Sequence, residues 1–117
     1  MALLILRAVT LDIAGGLMPD ISVFGKESIH PDFFHDVLKY PQPPILAVEV
    51  ISPSQTIRSL LEKARLLNEV GVRAVWTVEP YSRSVFVTTA EGVRLYHGEA
   101  VESEGIRVDF ARVFACG

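Results

Sequence analysis

Apolar and polar positions alternate in short runs along most of the chain, and in one stretch the repeat lengthens to that of a helix. Residues 8–13 (Ala-Val-Thr-Leu-Asp-Ile) read as a strand, residues 14–19 as a glycine- and proline-bearing connection, and residues 20–24 as a second strand. Residues 25–43 are polar and carry prolines at 31, 41 and 43, which predicts a loop with a short helix over residues 32–39. Residues 45–51 form an almost unbroken apolar run of strand length, the mark of a central strand covered on both faces.

Ser52-Pro53-Ser54-Gln55-Thr56 then turns the chain into a helix, with Ile57, Leu60, Leu61, Ala64 and Leu67 recurring on one face. Ser59-x-x-Glu62 matches a capping box, so the start falls between Thr56 and Ser59. Gly71 supplies the stop. Strands follow over residues 72–78, 85–89 and 93–96, separated by Pro80-Tyr81-Ser82-Arg83 and Ala90-Glu91-Gly92. A last extended stretch, 105–108, runs into Asp109, which is placed to cap a terminal turn. This order predicts an α/β fold, a mixed sheet carrying one main helix after its central strand, in a single domain over residues 1–117.

Glu49 is the only ionisable residue in the 45–51 run, and a carboxylate there is costly unless it is paired, hydrogen-bonded or metal-bound. Alternation puts Asp20, Ser22 and Phe24 on one face of their strand and Ala47, Glu49 and Ile51 on one face of theirs. If the strands are neighbours with those faces aligned, the two carboxylates converge on one hard cation. At 100° per residue, Lys63 falls at about 240° from Ile57, on the border of the apolar stripe, where a lysine lays its stem on the core and directs its ammonium along the sheet. His30-x-Asp32-x-x-His35 lies in the proline-bounded loop and reads as solvated, and Trp76, Phe86 and Tyr96 read as core.

Charge narrows the function classes. Eleven Lys and Arg face fourteen Asp and Glu, a net charge of −3 at pH 7, which excludes a basic nucleic-acid-coating surface. Residues 58–97 are the exception, with six basic and four acidic groups. The single cysteine, Cys116, makes no disulfide framework and fits a reducing, cytoplasmic setting. The apolar residues 1–6 are too few to span a membrane; with half of all residues apolar, they are the expected exposed patch and homodimer contact.

Three blocks together carry a family resemblance. Pro19-Asp20-Ile21-Ser22-Val23 resembles the first motif of the putative restriction endonuclease family, a bacterial branch of the PD-(D/E)xK nuclease superfamily. Val48-Glu49-Val50-Ile51-Ser52-Pro53-Ser54 resembles the second, and Glu62-Lys63, Gly71-Val72 and Val75-Trp76-Thr77-Val78-Glu79-Pro80 the third. The resemblance implies a restriction-endonuclease-like sheet with a shortened N-terminal helical part. It further implies a nuclease acting on nucleic acid, DNA rather than RNA, with Mg2+ or Mn2+ as cofactor. Asp20, Glu49 and the Val50 carbonyl would hold the metal, and Lys63 would take the catalytic lysine's role, since Ile51 stands where the usual lysine would be. Ser59 replaces an aspartate common in the family. Two other classes stay open: a catalytically degenerate relative serving in binding or assembly, and an unrelated ligand-binding domain in which Glu49 pairs with Arg65 or Arg73.

Overall fold

A six-stranded mixed sheet organises the chain. The structure, a computed structural model, describes residues 3–7, 10–11, 19–25, 39–40 and 43–115. Its elements are β1 (Leu3–Arg7), β2 (Thr10–Leu11), β3 (Ile21–Gly25), β4 (Lys39–Tyr40), β5 (Leu46–Val50), α1 (Ile57–Glu69), β6 (Ala74–Glu79), β7 (Ser84–Thr89), β8 (Gly92–His97), β9 (Ala100–Ser103), β10 (Ile106–Asp109) and α2 (Phe110–Ala115). The sheet order is β1-β3-β5-β6-β7-β8, with β5 and β6 parallel around the α1 crossover and every other pairing antiparallel.

The registers sort side chains onto two faces, since neighbours directly across a ladder point the same way. One face carries Ser22, Ala47, Val75 and Thr88 in one row, and Glu49, Thr77, Phe86 and Leu95 in the next. Helix α1 covers it, burying Leu60, Ala64 and Leu67 against β6 and β7. The other face presents Val23, Leu46, Trp76, Val78, Val85 and Val87, and joins Val101 of the β9–β10 hairpin and Phe110 of α2 in the main core. Trp76 packs edge-on against Phe110, and its indole N–H donates to Ser103 Oγ at 2.8 Å. The expected core aromatics are therefore unequal: Trp76 is buried, whereas Phe86 and Tyr96 are half-buried.

One expectation needs correction, and several fall partly outside the described residues. Residues 1–6 were expected to precede the first strand, yet Leu3–Arg7 forms the edge strand, paired with β3. Of the strand expected at 8–13, only Thr10–Leu11 is described, in a short parallel pair with Lys39–Tyr40 outside the main sheet. The helix expected over 32–39 and the His30, Asp32, His35 cluster fall largely or wholly outside the described residues. The C-terminal stretch gains a strand over 100–103, which pairs with 106–109. Among the described residues, no helix is long and apolar enough to cross a membrane.

Candidate active site

The β3–β5 ladder sets Ile21 opposite Val48 and Ser22 opposite Ala47, and one further step of that register brings Asp20 opposite Glu49. The two acids are held side by side at the end of β5. Asp20 Oδ2 accepts the backbone N–H of Val50, the residue after Glu49, at 2.8 Å. Asp20 is exposed, so its remaining lone pairs are open to ligands, while Glu49 is only 3% exposed.

Lys63 completes the group. Its Nζ donates to Glu49 Oε1 at 2.6 Å. The turn between β5 and α1 sets that reach. Gln55 Oε1 accepts the Ser52 N–H and hydroxyl, at 3.0 and 3.1 Å, and the Gln55 N–H returns to the Ser52 carbonyl at 3.0 Å. Thr56 then caps α1, its Oγ1 accepting the Ser59 N–H at 3.1 Å. Of the candidate starts, Thr56 is the cap, and Ser59 turns its hydroxyl back to the Thr56 carbonyl at 2.9 Å. At the far end, Gly71 at φ +110° takes a conformation other residues rarely adopt, and carries the chain into β6.

Burial pushes the Glu49 carboxyl above its usual range, and the neighbouring Asp20 charge adds to the rise. Lys63 opposes both through its hydrogen bond and its positive charge, as does the Asp20 N–H. The alternative ion pairs do not form. Arg65 lies against Glu69 at 3.5 Å and Arg73 against Glu104 at 3.1 Å, both on the surface, which removes the basis of the unrelated-domain reading.

Two further groups at this end of the sheet are not singled out by sequence pattern. Thr77 sits beside Glu49 across the β5–β6 ladder, and its Oγ1 is buried with no hydrogen-bond partner among the described residues, as is Ser22 Oγ. The only signal was a hydroxyl inside the apolar run 74–78. Glu79 holds the β6–β7 turn: its carboxylate accepts the Tyr81 N–H at 3.0 Å, the Ser82 N–H at 2.6 Å and the Ser82 hydroxyl. These donors hold the Glu79 carboxyl below its ordinary value. His97, which has no partner evident from sequence, lies 3.3 Å from Ser84 Oγ through Nδ1. Among the described residues, no three His, Cys, Asp or Glu side chains cluster closely enough to hold a metal; the acid pair stands as two carboxylates.

A family model described as Uma2, putative restriction endonuclease, matches residues 4–116. The chain belongs to that family. The fold agrees with the assignment. The crystal structure of a protein from Anabaena variabilis, described as a putative nuclease belonging to DUF820, is similar with a TM-score of 0.84, over 97% of this chain and 68% of that one. At 16% sequence identity, that likeness shows the shared architecture. No curated protein matches the chain by sequence. Family and fold together make the chain restriction-endonuclease-like, with Asp20, Glu49 and Lys63 brought into one cluster at the end of β5.

Proposed function

We propose that residues 1–117 act as a single metal-dependent nuclease domain in the cytoplasm, hydrolysing phosphodiester bonds of DNA. The observation that carries this reading is the Asp20–Glu49 pair with Lys63 against Glu49: three side chains, from the entry to β3, from β5 and from α1, meeting beside the end of an interior strand.

The donor set suits a hard divalent cation. Asp20 and Glu49 offer carboxylate oxygens, and a regular strand residue directs its C=O the same way as its N–H, so the Val50 carbonyl faces the Asp20 edge. Mg2+ is commonly held by one or two carboxylates and keeps water and phosphate oxygens in its other positions. When bound, such an ion supplies Lewis acidity and a more acidic water. Asp20 is fixed by the Val50 N–H and needs little reorganisation. Glu49 is held by Lys63. Lys63, a quarter exposed along its side chain, is placed to orient a water or offset charge growing on a phosphate.

The test is cleavage of single- and double-stranded DNA and RNA oligonucleotides in Mg2+, Mn2+ and EDTA. Metal-dependent cutting of DNA that Asp20→Asn, Glu49→Gln and Lys63→Met each abolish is the expected result. A wild type that cuts nothing in either ion overturns it and leaves the catalytically degenerate reading.

Assembly as a homodimer belongs to the same proposal, on a different surface from residues 1–6. A groove of about 760 Å³ runs between α1 and the β7–β8 hairpin, and Val93 and Leu95 are exposed on the edge strand β8. Its helical rim alternates Arg58, Glu62, Arg65 and Glu69, an order that is self-complementary when two copies of α1 meet antiparallel.

A further inference from the structure

Strands β5 and β6 are parallel, so the end of β5 and the turn after β6 lie side by side; the Ile51 N–H donates to the Val78 carbonyl at 2.9 Å. On the face away from Glu49, a cavity of about 510 Å³ opens there, walled by Val50, Val78, Val113 and Phe114, with Tyr81 and Arg83 also lining it. Val50 is the residue whose N–H Asp20 holds, so the cavity begins one peptide away from the acids.

Three features of this cavity go beyond a gap between elements. Tyr81 is 88% exposed, an unusual placement for an aromatic ring on a turn that is itself well fixed. The Glu79 carboxylate binds the Tyr81 and Ser82 N–H groups, and the Arg83 N–H closes the turn on the Pro80 carbonyl at 3.3 Å. Arg83 stands at φ +55°, where glycine or asparagine is cheaper; it is exposed and forms no ion pair among the described residues. An apolar wall, an open aromatic ring and an unpaired cation, next to a site for a phosphodiester, are the elements by which proteins hold unstacked nucleotides.

We propose that this cavity is a nucleobase subsite: Tyr81 stacks on an unpaired base next to the scissile phosphate, and Arg83 contacts a phosphate of the same nucleotide. The proposal rests on the nuclease reading above and deepens it by naming the substrate class. A base stacked and paired within a duplex offers no free face to Tyr81, so the preferred substrate is single-stranded, frayed or flipped. A protein segment fits less well, because it brings no phosphate to Arg83.

The test is titration of a single-stranded DNA 12-mer carrying one 2-aminopurine into the protein in EDTA, with the matched duplex as comparison. Wild type is expected to quench the 2-aminopurine and to favour the single strand. Tyr81→Ala should lose the quench and weaken binding by roughly tenfold or more, the usual scale for one stacked base. Tyr81→Phe should keep both, and Arg83→Gln should lower the salt dependence of binding by about one counterion. Melting temperatures unchanged from wild type confirm that the variants fold. Equal quench and affinity in Tyr81→Ala overturn the subsite, as does wild type binding the duplex as tightly as the single strand. Cleavage of the same strands in Mg2+ and Mn2+ separates the two readings. Cutting by wild type with Tyr81→Ala binding normally refutes the subsite alone. A Tyr81-dependent quench without cutting refutes the nuclease alone and upholds the subsite.

Discussion

Replacing Lys63 by methionine keeps most of the side-chain stem and removes the charge that faces Glu49. At 2.6 Å and an effective dielectric of about 20, the attraction lost is on the order of 6 kcal/mol before desolvation is counted. The protein has a cheaper escape, which is to protonate Glu49. From the ordinary value of 4.5, neutralising a carboxyl at pH 7 costs about 3.4 kcal/mol, and that figure caps the loss. Some water reaches the lysine end of the pair, so the expected destabilisation at pH 7 is about 2–3 kcal/mol. A border lysine valued only for its stem packing would cost about 1 kcal/mol or less.

The pH dependence fixes the mechanism. A carboxyl whose folded pKa lies above its unfolded value binds more protons in the folded state, so folding gains stability as pH falls through the folded pKa, and the gain is complete below the unfolded one. Burial already places Glu49 in that class, and removing Lys63 takes away two of the effects that lower its pKa. The deficit of Lys63→Met should therefore shrink as pH falls from 7 towards 5, as the carboxyl left without its lysine takes up a proton. Thermal melting in EDTA reads this as a drop of roughly 10 °C at pH 7 that narrows sharply at pH 5. Adding Glu49→Gln should recover most of it. A variant as stable as wild type at pH 7, or a deficit that grows on acidification, would refute the argument.

Glu79→Gln should weaken the β6–β7 turn and remove one acid-sensitive contribution. Glu79 is held below its ordinary pKa, so its stabilisation is present above the ordinary carboxylate range and is lost as pH falls through the lowered value; melting curves of wild type and variant should converge in that window. Val93→Glu places a charge in the α1–β8 groove and should convert a sedimenting dimer to monomer with cleavage per site retained; unchanged sedimentation, or a wild type that is monomeric at high concentration, removes the proposed interface.

What could be read without coordinates follows from which interactions are local. Glu49 was legible because one charge in an apolar run has few comfortable environments. Lys63 was legible because helix geometry puts it at the stripe border, fourteen residues after Glu49 and one turn-and-helix away. The same geometry sends Arg65 to the solvent side, at about 80° from Ile57, where it meets Glu69. Asp20 needed one more fact, that β3 lies beside β5, which alternation alone does not supply. Arg73 lies beyond the helix, so no helical angle decides its partner; it pairs with Glu104, 31 residues on.

The misread elements share that property. Leu3–Arg7 becomes an edge strand only through its pairing with β3, which lies across a long connection, and its apolar run ends at Arg7 before it resembles a central strand. The strand 100–103 has Val101 as its fully buried member between Glu99 and Glu102, so its pattern is too polar to stand out, although the positive φ of Gly98 and Gly105 marks a turn on each side. The candidate site is built mainly from one strand–turn–helix segment, β5 through α1, with a single antiparallel neighbour. Segments of that kind carry their geometry in their own periodicity, which is why the charged cluster was nearly complete in sequence. The surfaces around it, the Tyr81 turn and the β8 edge, depend on where distant strands come to rest.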